Sequence, residues 1–171
     1  MADEIGRITW HDPDPRAVFP LTSLTMPSRL ARYVRANGYK VRMVGPFGDV
    51  IRSCAAREPR WISEEMIRVY TDLHLLGHAH AIGTWLGSEL IGGIYGVAIG
   101  GAFFGESMFS RAPNASKAAF YHLAGHLRTR DFALFDTQYL NAHTASLGAV
   151  EIPRQRFRKQ LREALDLAVA Y

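Results

Sequence analysis

Three runs, residues 79–86, 89–98 and 102–109, are separated only by Gly87-Ser88 and Gly100-Gly101. A two-residue link leaves room for a tight hairpin turn and little else, and glycine accepts the backbone angles that such turns require. The runs are rich in Ile, Val, Phe, Trp and Tyr, which suit a pleated, half-buried surface. Residues 79–109 therefore predict a three-stranded antiparallel meander. A meander must bury its apolar face, so the fold is constrained to a sheet with other elements packed on it.

Helical spacing supplies those elements. Over residues 28–36, Leu30, Tyr33 and Val34 fall on one face and Arg29, Arg32 and Arg35 on another. A helix over 63–76 is signalled at both ends. Ser63 can cap it, Glu64 and Glu65 suit the positive end of the dipole, Ile62 and Ile67 occupy staple positions, and Gly77 stops it. Met66, Val69, Tyr70 and Leu73 are its expected buried stripe. Another helix is expected over 115–129, capped by Asn114, and a last one is opened by Pro153 with Phe157, Leu161, Leu165 and Ala168 on one face. Tyr39–Val44 and Phe132–Gln138 read as strands, and a short helical turn stops near Gly148. The order predicts the α/β (α+β) class, a mixed and largely antiparallel sheet flanked by helices. Pro13, Pro15 and Pro20 interrupt any period near the start, so residues 1–27 are expected to be an extended N-terminal arm and 28–171 the domain.

Composition narrows the function classes. With 48% hydrophobic and 21% charged residues, the 171-residue chain can build one core and is not a disordered tail. The single cysteine, Cys54, excludes an internal disulfide and suits a reducing compartment. The uncharged stretch Leu90–Gly105 is shorter than the ~20 residues of a membrane helix, so a cytoplasmic protein with no membrane partner is expected. A net charge of +4 admits an anionic partner. Arg29, Arg32, Arg35 and Lys40, with Arg42 beyond, form a cluster with no acid between Arg29 and Lys40. Such a cluster suits RNA phosphates. Arg154, Arg156, Arg158, Lys159 and Arg162 form a second, which reads equally as a solvated helix face.

The groups able to do chemistry concentrate in two segments, 105–117 and 136–148. Asp136 and Gln138, two apart in a strand, would share a face at the end of an apolar wall. They are either a pocket floor, the carboxylate orienting the amide, or a strand end entering solvent. Glu106 lies between Phe104 and Met108 and needs a partner if buried. Arg111 is one choice, and a cationic substrate group is the other. His74, His78 and His80, and His122 and His126, have the spacing of metal ligands, but Gly77 interrupts the first set and cysteine is scarce, so no metal is expected. No Gly-x-Ser-x-Gly, Gly-x-x-x-x-Gly-Lys or Gly-x-Gly-x-x-Gly occurs. Trp10 and Trp61 are candidate stacking platforms for an unpaired base.

Asp12-Pro-Asp-Pro-Arg16, Trp61-Ile-Ser63, Leu76-Gly-His-Ala-His80, Gly92-Gly-Ile-Tyr-Gly-Val97, Gly105–Lys117 and Asp136–Arg154 together resemble the bacterial leucyl/phenylalanyl-tRNA–protein transferases. The resemblance implies an acetyltransferase-like (GNAT-like) catalytic domain. It implies transfer of Leu or Phe, with Met as a further donor, from aminoacyl-tRNA to protein N-termini beginning with Arg or Lys. Such proteins are thereby marked for N-degron degradation, with a Clp protease adaptor involved only indirectly. Asp136 and Gln138 match the family's catalytic pair, and Glu106 is expected to face the acceptor. Ile94, Phe103, Met108, Phe120, Leu123 and Phe135 match the cavity for the donor side chain. Trp61 matches a tryptophan near the adenosine, and Ser110, Asn141 and His143 are further substrate-binding positions. No cofactor is implied. Two departures concern the acceptor: a Gly-Ile-Phe-Pro-Trp segment usual in the family is not in this sequence, and Ala81 and Gly83 stand where Ser and Glu are common. The rival readings are a coenzyme A-dependent N-acyltransferase, whose pyrophosphate-gripping loop is missing here, and a non-catalytic aminoacyl-tRNA or degron binder.

Overall fold

The computed structural model describes residues 9–43, 47–57 and 61–171. Seven strands form one sheet: β1 (Arg16–Phe19), β2 (Lys40–Arg42), β3 (Ala79–Leu86), β4 (Glu89–Ile99), β5 (Ala102–Ser110), β6 (Leu134–Gln138) and β7 (Val150–Ile152). Their order across the sheet is β2-β3-β4-β5-β6-β1-β7. Every neighbouring pair is antiparallel except β5 and β6. The helices are α1 (Ser28–Ala36), α2 (Phe47–Ala55), α3 (Glu64–Leu75), α4 (Ala115–Thr129), α5 (Ala142–Ser146) and α6 (Arg154–Leu165). The expected class, a mixed and largely antiparallel sheet flanked by helices, is present, as is the meander, now β3, β4 and β5.

Adjacent residues of a strand face opposite layers, and the core divides accordingly. Ile94 and Phe103 pack with Phe120 and Leu123 of α4, whereas Tyr95 packs with Ile51 of α2 and Ile67 of α3. Ala102 and Leu134 pack with Phe157 and Ala164 of α6. Helix α4 therefore covers one face, with α1 against it, and α2, α3 and α6 cover the other.

The local signals of α3 act as read. The Ser63 hydroxyl accepts the Met66 N–H at 3.2 Å. At the other end His78 N–H reaches Leu73 O and Gly77 N–H reaches His74 O, a Schellman closure with Gly77 at φ +82°. Val69, expected in the buried stripe, is 48% exposed instead, because the helix turns Met66 and Ile67 inward. Asn114 precedes α4 but adopts a left-handed conformation and makes no side-chain cap. Ser110 does that work, accepting the Ser116 N–H at 3.1 Å. Three elements were not anticipated: α2, β7, and β1, which lies inside the expected arm yet pairs with both β6 and β7. Prolines on either side of β1 hide a strand only four residues long. Val44 of the expected strand 39–44 lies outside the described residues. Among the described residues no helix is long and apolar enough to cross a membrane.

Helix α4 lies so close to β4 that a Cβ on Gly92 would sit 2.6 Å from Ala115 Cβ and 2.8 Å from Ser116 N. Backbone cannot yield as a side-chain tip does, so Gly92→Ala should destabilise the protein by about 1–3 kcal/mol, the cost of overpacking. Urea denaturation should show a lower midpoint at unchanged slope.

Candidate active site

Strands β5 and β6 run side by side only from Ala102↔Leu134 to Phe104↔Asp136. Beyond that point they part, and a cleft of about 530 Å³ opens between their carboxyl ends, the usual place for a ligand beside parallel strands. Each strand carries an irregularity there. On β5, Tyr95 of β4 pairs with Ser107 and Gly96 with Gly105, so Glu106 is an extra, unpaired residue. On β6, Ala17 of β1 pairs with Gln138 and Val18 with Asp136, so Thr137 is the extra one. Bulges re-aim side chains and are common beside active sites.

The β5 bulge breaks the alternation that would put Phe104, Glu106 and Met108 on one face. Phe104 packs with Val18 and Leu134, while Met108 packs with Phe103 and Phe120 on the opposite side. Glu106 does not pair with Arg111, whose guanidinium donates to Leu90 O and Ser53 Oγ, each at 3.1 Å. Its carboxylate hydrogen-bonds the Tyr70 phenol. Burial pushes the Glu106 carboxyl above the usual range and the charge of Asp136 adds to that, whereas the Tyr70 hydrogen bond and Arg16 oppose it. Burial, then Glu106, likewise raises Tyr70.

Asp136 and Gln138 occupy different environments. Asp136 is fully buried and lies behind the cleft wall. Its carboxylate accepts two bonds from Arg16, Nε at 2.9 Å and Nη2 at 2.6 Å, and a third from the backbone N–H of Gln138 at 3.2 Å. Burial acts to lower the Arg16 pKa, but the hydrogen bonds and charge of Asp136 outweigh it and the net shift is upward. The guanidinium also lies 4.8 Å over the Phe157 ring. Gln138 has φ +61°, uncommon for a residue with a side chain and costing about 1–3 kcal/mol unless its surroundings enforce it. With plain alternation Gln138 would follow Asp136 away from the cleft. The bulge and the left-handed turn bring it to the cleft lining instead. Asp136 therefore orients the main chain of Gln138, not its side-chain amide as expected.

Of the other expected site residues, Trp61, Ile94, Met108, Phe135, Asn141 and His143 line the cleft with Glu106 and Gln138. His143 Nε2 lies 2.9 Å from Met108 Sδ, and Arg57 donates to Met108 O. Burial, then Lys117 and Arg57, lowers the His143 pKa. Asn141 caps α5 in a reciprocal pair of 2.9 Å bonds with Thr144. Phe103, Phe120 and Leu123 do not reach the cleft and are core residues behind it, and Ser110 is occupied at the start of α4. Arg29, Arg32, Arg35 and Lys40 are exposed and form no ion pair among the described residues. In the second basic cluster, Arg158 meets Asp12 at 2.5 Å and Arg154 lies within 3.8 Å of Asp12 and Asp14. No three potential metal ligands converge among the described residues. His74 bonds Ala79 O at 2.7 Å and His80 stacks 3.7 Å from Tyr171.

Sequence reasoning missed Arg16, Tyr70, Arg57, Thr137, Tyr139 and Thr144 as cleft residues. Arg16 closes the Asp-Pro-Asp-Pro-Arg run, and that run is the signal that pointed to it. Its acids anchor α6, Asp14 accepting the Arg154 N–H at 3.0 Å, while its arginine holds Asp136.

Residues 18–162 match the family profile of the leucyl/phenylalanyl-tRNA protein transferases. The chain belongs to this family. A leucyl/phenylalanyl-tRNA–protein transferase of Gloeobacter violaceus is 50% identical over 168 residues, covering 98% of this chain and 87% of its own length. Those of Ruegeria pomeroyi and Rubrobacter xylanophilus are 51% and 48% identical, covering 96% and 100% of this chain and 78% and 90% of theirs. Among solved structures, a conserved protein of unknown function from Staphylococcus epidermidis has a TM-score of 0.51 at 9% identity, over 81% of this chain and 57% of its own, a likeness of fold alone. As a member of the transferase family the chain is an enzyme, and the cleft at the fork of β5 and β6 is its candidate active site.

Arg16→Met should leave Asp136 charged, buried and unpaired. The loss expected is about 3–5 kcal/mol in chemical denaturation, the range for breaking a buried pair from one side. Arg16→Lys should recover only part, since an ammonium cannot reproduce the two-pronged bond.

Proposed function

We propose that the cleft transfers Leu or Phe, and Met as a further donor, from aminoacyl-tRNA to the N-terminal amine of proteins beginning with Arg or Lys. The observation that carries this reading is the composition of one continuous cleft. It has an apolar end at Ile94, Met108 and Phe135, an amide at Gln138, a carboxylate at Glu106 and an indole at Trp61. The apolar end suits a Leu or Phe side chain. Trp61 offers a stacking face for the terminal adenine. Glu106 has a neutral phenol and not a cation as its hydrogen-bond partner, so an acceptor Arg or Lys is the cation it would meet.

The ester to tRNA is already activated, so the task is to hold a neutral amine against the carbonyl carbon. The amine nitrogen forms the new amide bond, the ester C–O bond breaks, and the proton leaves nitrogen for the departing ribose oxygen. Gln138, turned into the cleft, accepts from the amine N–H through its carbonyl oxygen and so aligns the nitrogen. Asp136 contributes by fixing the Gln138 backbone. The exposed Arg29, Arg32, Arg35 and Lys40 take tRNA phosphates, and the products are N-degron substrates. Cytoplasmic tRNA and a reducing compartment fit this role.

Radiolabelled Leu-tRNA offered with peptides bearing each N-terminal residue tests the reading. Label should appear on Arg and Lys peptides, and Gln138→Ala should lower turnover about 10²-fold or more, the scale for losing such a group. Met108→Ala should shift Leu against Phe selectivity, since side-chain contacts of this size are worth about 1–3 kcal/mol. A protein that bound Leu-tRNA yet labelled no peptide would be a binder without turnover. Label on other N-termini alone would contradict the acceptor assignment.

A further inference from the structure

A second depression of about 390 Å³ lies between α2 and the β3–β4 turn, lined by Asp49, Arg52, Ser53, Trp85, Ser88 and Arg111 among others. Donors outnumber acceptors there. Arg111 is held rigid by its bonds to Leu90 O and Ser53 Oγ and by the Phe109 ring 5.3 Å away. The Arg52 side chain has no ion pair or hydrogen bond among the described residues, and neither has that of Arg42, whose guanidinium lies 5.0 Å over the Trp85 ring. Asp49 is the one carboxylate in the lining. Two guanidiniums and two hydroxyls around a single carboxylate define a seat for an anion.

Its position identifies the anion's source. Ser53 belongs to α2, which leads directly to Arg57 in the reaction cleft, and Arg111 follows β5, whose Met108 lines that cleft. On the far side, β2 places Lys40 opposite Trp85 and Arg42 opposite Gly83. Cationic groups thus run from the cleft through Arg111 and Arg52 to Arg42 and Lys40, next to α1. A polyanion whose end lies in the cleft would cross this depression. We propose that it is a phosphate subsite for the tRNA substrate, Arg52 and Arg111 seating one backbone phosphate and Arg42 a neighbouring one. This rests on the aminoacyl-tRNA reading of the cleft.

The test is the salt dependence of tRNA binding. Each lost phosphate contact should reduce the log–log slope by about 0.9. Arg42→Ser with Arg52→Ser should therefore flatten it by roughly 2 and weaken binding, while transfer from a short aminoacyl-adenosine, which lacks the stem, keeps the wild-type rate. Wild-type affinity and slope in the double variant would overturn the subsite. So would a change confined to the KM of the acceptor peptide, which would assign the depression to the acceptor. If the wild-type protein transferred from neither tRNA nor the adenosine analogue, the reading of the cleft itself would fall. Normal transfer with unaltered slopes would overturn the subsite alone.

Discussion

A carboxylate buried to zero exposure must be answered in kind, and Arg16 answers Asp136 with a two-pronged ion pair. Three strands depend on it. Arg16 begins β1, Asp136 lies on β6, and β1 also holds β7 on its other edge. The third bond to Asp136 comes from Gln138 N–H and supports a left-handed backbone that a glutamine would not choose alone. The pair thus ties sheet assembly to the placement of Gln138 at the cleft.

The cleft itself follows from a mismatch in strand length. Strand β5 continues from Gly105 to Ser110 after its pairing with β6 has ended, and each strand carries an extra residue near the fork. A sheet without those bulges would keep strict alternation. Gln138 would then follow Asp136 away from the ligand space. The polar residues that a core-only fold would not need therefore coincide with the places where the sheet departs from regularity.

What the sequence made legible was what local physics decides. The turns at Gly87-Ser88 and Gly100-Gly101, the cap and staple of α3, and the span of α4 all follow from neighbours in the chain. Helix α2 was legible too, since Phe47, Val50, Ile51 and Cys54 keep helical spacing and are buried, yet it was not anticipated. Strands β1 and β7 are four and three residues long and exist through pairing with each other and with β6, which local pattern does not encode. At the site, residue types were informative but faces were not. Apolar Phe103, Phe120 and Leu123 looked the same as Ile94, Met108 and Phe135, and only packing separates core from cleft wall. Glu106 was rightly suspected of needing a partner and Asp136 was not, and their partners, Tyr70 and Arg16, lie far off in sequence.

The central claim is that Asp136 acts through structure, by holding Arg16 and the Gln138 backbone, and not by taking the proton of the acceptor amine. A double-mutant cycle on the transfer rate tests it most directly, with Arg16→Met, Asp136→Asn and the double variant assayed with Leu-tRNA and an Arg-initiated peptide. If the two residues are one device, the losses are strongly non-additive and the double variant transfers no more slowly than the worse single one. Losses that multiply would contradict the account, because Asp136 would then have a part in the chemistry that does not pass through Arg16.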